Sequence, residues 1–234
     1  MICRRPGAPL QSEGNHQNMS AIIAVVGGTG NLGSALAWRL ARAGHRVILG
    51  SRTAASAEAK AAELGHGVTG MANAAAAATA GIVFVTVPFA AQGATLADIR
   101  PHVQGKIVVD TTVPLMPPKV MRVQLPPEGS AAARAEALLG EGVRLVAGFH
   151  NVAAHKLARD EDVDCDILVF GDEKAARAEV VALADAIGLR GIHAGALVNA
   201  AAAEAMTSLL IFINKAYAVD GAGLRITGKL AAIG

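Results

Sequence analysis

Between Ala21 and Arg52 the chain reads AIIAVVGGTGNLGSALAWRLARAGHRVILGSR, and few folds accommodate that stretch. The apolar, partly β-branched run from Ala21 to Val26 has the length of a strand buried on both faces. Gly28, Gly30 and Gly33 follow it in the pattern G-x-G-x-x-G, and Leu32, Leu36 and Leu40 then recur at helical spacing. A second strand is expected from Arg46 to Gly50. In such a strand-turn-helix unit each glycine has a task. Gly28 is expected to make the tight turn, Gly30 to let a pyrophosphate approach the backbone, and Gly33 to let helix and strand close up. The helix start at Asn31 and Leu32 offers free N–H groups and a partial positive charge to the same pyrophosphate. These features together specify a dinucleotide site, which a lone glycine pattern would not.

The end of the second strand selects among dinucleotides. An NAD site places an acid there to hold the ribose 2′-hydroxyl. This chain has Ser51 and Arg52. A hydroxyl beside a guanidinium attracts a 2′-phosphate and binds it directionally, whereas an acid repels it. The cofactor expected is NADP(H).

Beyond Arg52, helical and strand-like segments alternate. Helices are expected at Ala54–Leu64, Ala72–Ala80, Ala90–Ile99, Ser130–Leu139 and Glu173–Ile187, with a long apolar one over Asn199–Val219. Strands are expected at Gly81–Val87, Lys106–Asp110, Arg144–Ala147, Asp166–Phe170 and Gly191–Ala194. The alternation implies an α/β fold, a Rossmann-type doubly wound parallel sheet with a small C-terminal α/β substrate domain. The expected division is a disordered extension over 1–20 with Met19 as the functional start, an NADP-binding domain over 21–148, and an acceptor-binding and dimerisation domain over 149–234.

The composition excludes several functions. Net charge is +2 with 17% charged residues, so no nucleic-acid partner is indicated. Cys3 and Cys165 form neither a disulfide framework nor a metal-ligand spacing, which suits a reducing cytoplasm and no metal site. Mean hydropathy is +0.41. The uncharged run from Gly67 to Ala97 is nevertheless broken by Gly70, Asn73, Gly81, Pro88 and Gln92. Near the C-terminus, Met206–Ile213 is bounded by Glu204 and Lys215. Both stretches read as buried elements of a core, not as membrane spans.

Ligands of a doubly wound sheet sit beyond the carboxyl ends of the strands. Those ends supply Thr86-Val87-Pro88, Thr111 to Pro114, and Phe149-His150-Asn151. His150 directly follows a strand and is placed near a nicotinamide, although a purely structural histidine fits the same position. Lys156 is an acid/base candidate or a surface lysine. The lone tyrosine, Tyr217, has Gly221 four residues on, so no Tyr-x-x-x-Lys pair exists. A site this poor in proton-transfer groups suits direct hydride transfer between bound cofactors.

The segments VVGGTGNLGSALAWRLARAGHRVILGSR, FVTVPF, KIVVDTTVPL, GFHNVAAHKL and MTSLLIFINKAYAVDGAGLRITG resemble the NADPH-dependent F420 reductase family, the F420H2:NADP oxidoreductases. The resemblance implies an oxidoreductase, usually a homodimer, that moves a hydride between NADP(H) and the deazaflavin coenzyme F420. By position, Thr29, Gly30, Asn31 and Leu32 would hold the pyrophosphate, and Ser51 and Arg52 the 2′-phosphate. Val87, Pro88, Val113 and Ala154 would line the nicotinamide side, and His150 and Val152 would face the deazaflavin. Two positions depart from the pattern. A basic residue of archaeal members corresponds to about Ser56, and an expected Asn-Ser-Arg run reads Asn199-Ala200-Ala201. The residues themselves leave other acceptors open: another flavin, a pterin, a ferric chelate or a small carbonyl compound. They also leave open NADPH sensing without turnover.

Overall fold

The computed structural model describes residues 21–231, so the extension expected over 1–20 lies outside the described residues. Eight strands form one sheet: β1 (Ile23–Val26), β2 (Val47–Ser51), β3 (Thr69–Ala72), β4 (Ile82–Val85), β5 (Ile107–Asp110), β6 (Arg144–Ala147), β7 (Asp166–Gly171) and β8 (Arg190–His193). Their spatial order is β3-β2-β1-β4-β5-β6-β7-β8. The chain steps outward from β1 to β2 and β3, then returns to lay β4 on the other side of β1. This reversal opens a crevice beyond the carboxyl ends of β1 and β4, the place where such sheets bind ligands.

Pairing is parallel from β3 through β6, with Ile23 aligned to Val47 on one side and to Ile82 on the other. β7 then runs antiparallel to β6, and β8 is parallel to β7. The α/β doubly wound architecture is as expected, but the sheet is mostly and not wholly parallel. The connection from β6 to β7 carries only a four-residue helix, too little to cross a face and return in the same direction. The boundary expected near Gly148 falls between β6 and β7, and the sheet continues through it.

Eight α-helices are described: α1 (Asn31–Arg42), α2 (Ala54–Leu64), α3 (Asn73–Thr79), α4 (Phe89–Ile99), α5 (Ala131–Leu139), α6 (Ala154–Leu157), α7 (Lys174–Ala186) and α8 (Ala200–Tyr217). The two faces of the sheet are read off alternate strand residues. Ile23, Val25, Phe84 and Val109 face α1, α2 and α7, whereas Ala24, Val26, Val83 and Val108 face α3, α4, α5 and α8. Leu36 and Leu40 of α1 are buried against the first face, each worth about 1.5–3 kcal/mol. Arg39 of the same helix donates to the carbonyls of Leu157 (2.7 Å), Arg159 (2.8 Å), Glu161 (2.8 Å) and Ile187 (3.1 Å). That fan ties the first βαβ unit to the segment that follows β6.

The segment β3 has no counterpart in the sequence reading, which leaves Gly65–Met71 unassigned. It is a half-exposed edge strand built of Thr, Gly, Met and Ala. The expectation of a buried Met206–Ile213 also needs correction. α8 is long and apolar enough to cross a membrane by length and composition, yet only 33% of its apolar window is buried. Ala200, Ala203, Glu204, Ser208 and Leu210 face inward, while Leu209 and Phe212 face outward at 45% and 54% exposure.

Candidate dinucleotide and acceptor site

The glycine turn lies at the crevice, and its left-handed residue is Gly27, with φ +71°. That backbone favours glycine. Gly28 is glycine for a different reason from the turn-making role expected of it. A Cβ there would stand 2.6 Å from the Val25 carbonyl oxygen and 2.8 Å from Leu49. Gly33 is required where α1 crosses β4, since a Cβ would collide with Thr86 Oγ1 and lie 2.6 Å from Gly28 Cα. Gly30 differs from both. Its Cβ would meet only the Gly27 carbonyl at 3.6 Å, so its outer side is open. Thr29, Gly30 and Asn31 are exposed and Leu32 is half-buried, and Gly30 begins α1 with no side chain capping the helix. The free N–H groups of that first turn form an anion-binding end.

Two side chains to which the sequence assigns no such role hold this turn. Asn73, at the start of α3, accepts the Gly27 N–H on Oδ1 at 3.2 Å. Thr86 donates its hydroxyl to the Val26 carbonyl at 2.9 Å. An asparagine opening an alanine run was the available signal for Asn73, but its use depends on β3, which sets where α3 begins.

Ser51 ends β2 and is 8% exposed, while Arg52 is exposed and forms no ion pair among the described residues. Thr53 caps α2 immediately afterwards, accepting the Ser56 N–H at 3.3 Å and donating to the Ser56 hydroxyl at 2.8 Å. The first turn of α2 carries no acid. A hydroxyl, a guanidinium and a helix N-terminus thus follow one another in the chain at the end of β2.

On the other side of β1 the loops after β4, β5 and β6 continue along the same edge. Three strand steps from β1 to β6 span roughly 14 Å. Val87 is half-buried and borders Gly27, Pro88 is exposed at the start of α4, and Val113 is half-buried. Asp110 ends β5 with its carboxylate accepting from Thr112 Oγ1 (2.6 Å), Thr112 N (3.2 Å) and Gln92 Nε2 (2.7 Å). Burial pushes its pKa up to about 6, against the pull of those hydrogen bonds.

After β6 the chain bends at Phe149, which holds φ +64° and packs edge-on against Phe84 at 5.6 Å between ring centroids. A bulky residue in that region is strained, and such strain clusters at functional sites. The bend turns His150 inward. The residue is 6% exposed, and its ring sits 6.3 Å from the Phe170 ring with both nitrogens buried and without a hydrogen-bond partner. Burial lowers its pKa to about 4, so near neutral pH the imidazole carries no charge and offers one donor and one acceptor. His150, Asn151, Val152 and Ala153 line a cavity of about 120 Å³ with Thr207, Leu210 and Asn214 of α8. Val152 is buried and Ala154 half-buried. Lys156 is half-buried one turn on, and its carbonyl faces Arg39. Among the described residues no group of three or more His, Cys, Asp or Glu could hold a metal ion.

The family described as "NADP oxidoreductase coenzyme F420-dependent" matches residues 22–114, from β1 to just past the end of β5. The F420-dependent NADP reductase of Methanothermobacter thermautotrophicus is 43% identical over 218 residues, covering 88% of this chain and 94% of its own. The chain belongs to this reductase family. The F420-dependent NADP reductase of Methanothermobacter marburgensis is 41% identical, over 88% of this chain and 97% of its own. A solved structure from Arthrobacter sp. FB24, named for the same activity, superposes with a TM-score of 0.79 at 27% identity. That superposition covers 89% of this chain and all of the other. Asn199, at the end of a short 3-10 turn, leads into α8 at Ala200, which is fully buried, and Asn199 Nδ2 donates to the Ala194 carbonyl at 3.4 Å.

Proposed function

We infer that this chain is an NADP-dependent oxidoreductase that transfers a hydride between NADP(H) and coenzyme F420 in the crevice between the glycine turn and the His150 bend. Family membership supports the reaction, and the observation that carries the site is His150, buried, neutral and unpartnered in a loop bordering that crevice. NADP(H), when bound, supplies or takes up the hydride. In this reading Gly28, Thr29, Gly30, Asn31, Leu32 and Gly33 form the turn that receives the pyrophosphate, with Gly30 the point of closest approach. Ser51 and Arg52 hold the 2′-phosphate. Val87, Pro88, Val113 and Ala154 border the nicotinamide and exclude water. His150 and Val152 orient the deazaflavin, His150 by a hydrogen bond and without moving a proton in the chemical step. Residues 21–148 would then serve the dinucleotide and 149–234 the acceptor.

His150→Ala tests this assignment. The acceptor KM is expected to rise and turnover to fall, while NADPH affinity by calorimetry stays close to wild type. Equal damage to NADPH binding would place His150 on the wrong side of the crevice.

A second copy of the chain suits the outer face of α8. Val198, in the turn before α8, and Ala202, Ala205, Leu209, Phe212 and Ala216 within it recur at intervals of four and three, the 3.5-residue period of a helix-on-helix seam. Val198 is 73% exposed. This face is the proposed homodimer contact of a cytoplasmic enzyme. Leu209→Asp with Phe212→Asp is expected to shift the species seen by sedimentation velocity from two chains to one. An unchanged species would remove α8 from the interface.

A further inference from the structure

We propose that Glu204 is a positioning residue: by gripping the first turn of α5 it fixes α8, and through α8 the His150 bend, at the height the acceptor needs. This rests on the reading that the acceptor meets the protein at His150. Glu204 is 1% exposed on the inner face of α8. Its Oε2 accepts the Ala131 N–H at 2.6 Å and its Oε1 the Ala132 N–H at 3.0 Å. Ser130 Oγ accepts the next N–H, from Ala133, at 2.9 Å. The first three free donors of α5 are thus satisfied, two of them by a residue more than seventy positions later.

The same cluster reaches the crevice by a second path. Gln92 of α4 donates to both the Asp110 carboxylate (2.7 Å) and the Ala131 carbonyl (2.9 Å), joining the end of β5 to the turn that Glu204 holds. One turn along α8, the grip is passed to the acceptor side. Thr207 Oγ1 donates to the His150 carbonyl at 3.0 Å. Asn151 Nδ2 donates to the Ala203 carbonyl at 2.8 Å and to Thr207 Oγ1 at 3.1 Å. Ser208 Oγ adds a bond to the Arg122 carbonyl at 3.3 Å, anchoring the long β5–α5 connection. The polar residues on the buried face of α8 are therefore tie-points, and Glu204 is the one that sets the height of the others.

The two buried N–H groups call for acceptors but not for a charged one, and taking a charge out of water is costly, so a neutral acceptor would serve stability as well. Burial raises the Glu204 pKa to about 7, its two backbone hydrogen bonds oppose the rise, and the neighbouring Asp110 charge adds to it. Glu128 and Arg134 flank the start of α5, Arg122 lies in the connection and His150 beyond Thr207. Of these groups and Asp110, only Asp110 acts on Glu204 by its charge. The ionised carboxylate accepts both N–H groups, whereas the protonated acid has one good acceptor left. The grip therefore tightens above about pH 7. Stability runs the other way. A folded pKa above the usual 4.5 means this group's stabilising contribution is present below that value and lost as pH rises through about 7.

Opposed trends separate positioning from simple structural support. With the full chain, the F420 KM of the wild type is expected to rise about fivefold between about pH 8 and about pH 6, the cost of one lost hydrogen bond. Resistance to urea should meanwhile not fall, and the NADPH dissociation constant should not move. Glu204→Gln should show the higher KM at both pH values, with the pH dependence gone. Hydrogen exchange of the 150–153 amides should quicken in the same variant, a readout independent of turnover. If Glu204→Gln does not fold, Thr207→Val cuts the same link one turn on and should raise the F420 KM at both pH values while weakening its pH dependence, because the state of Glu204 no longer reaches the His150 carbonyl through it. Wild-type KM, pH profile and amide exchange in a folded Glu204→Gln would overturn the proposal. A wild type that reduces no F420 would overturn the acceptor reading instead, and the exchange measurement would still decide the role of Glu204.

Discussion

Gly30→Val is expected to abolish binding of NADPH and NADH alike while leaving the protein folded. The position has φ −75° and ψ 168°, extended backbone that valine adopts readily. On the protein side a Cβ meets nothing closer than 3.6 Å. The added side chain would instead occupy the space outside the turn, where the pyrophosphate must come against the backbone of α1's first turn. A loss of at least about 100-fold for both dinucleotides follows, since the approach itself is blocked. Gly33→Val provides the contrast. Its side chain would drive into Thr86 and the Gly28 backbone, where α1 crosses the sheet, and overpacking there costs about 1–3 kcal/mol or more. Calorimetric titration of Gly30→Val, alongside a thermal melt of both variants, checks the pair. Wild-type NADPH affinity in a folded Gly30→Val would remove the glycine turn from the site.

Arg52→Ala is expected to weaken NADPH about 10- to 100-fold while changing NADH little, the range for hydrogen bonds to a charged group. Arg52 is exposed, stands beside Ser51 at the end of β2, and precedes a helix whose first turn bears no acid. Its guanidinium has no ion-pair partner to lose among the described residues, so the effect should appear only with the 2′-phosphate present. The salt dependence of NADPH binding should shrink in the variant, because an exposed pair is screened. Equal losses for the two dinucleotides would assign Arg52 to the surface and not to the cofactor.

The parts of the fold legible in the sequence are those set by local rules. Ala54–Leu64 is a helix with the expected bounds because Thr53 caps one end and Gly65, at φ +68°, closes the other. Arg144–Ala147 likewise forms the strand expected of it. What was not legible depends on contacts distant in sequence. β3 is poor in β-branched residues because a Cβ at Gly70 would lie 2.5 Å from Glu58 Cα, so packing against α2 selects glycine over strand propensity. The reversed direction of β7 leaves no mark in its apolar pattern. Gly27, not Gly28, carries the left-handed turn, a distinction two adjacent glycines conceal. Glu204 marks a polar boundary in the sequence and is among the most buried residues in the structure, because its partners are N–H groups of a helix starting at Ala131. The same limit applied at the site: the strand-end positions of Thr86, Val87, Val113, Phe149 and His150 follow from alternation, but the hold of Asn73 and Thr86 on the glycine turn and the strain at Phe149 emerge only from the folded chain.

Transfer of label gives the most direct measurement of the central claim. The protein is mixed with oxidised F420 and NADPH deuterated at both C4 positions, with FMN and NADH as parallel controls, and the reduced products are examined by mass spectrometry. The expected result is reduced F420 carrying one deuterium from NADPH, formed much faster than with NADH, and no comparable reduction of FMN. Reduced F420 without the label, or tight NADPH binding with no reduction of F420 at all, would contradict direct hydride transfer between these two partners.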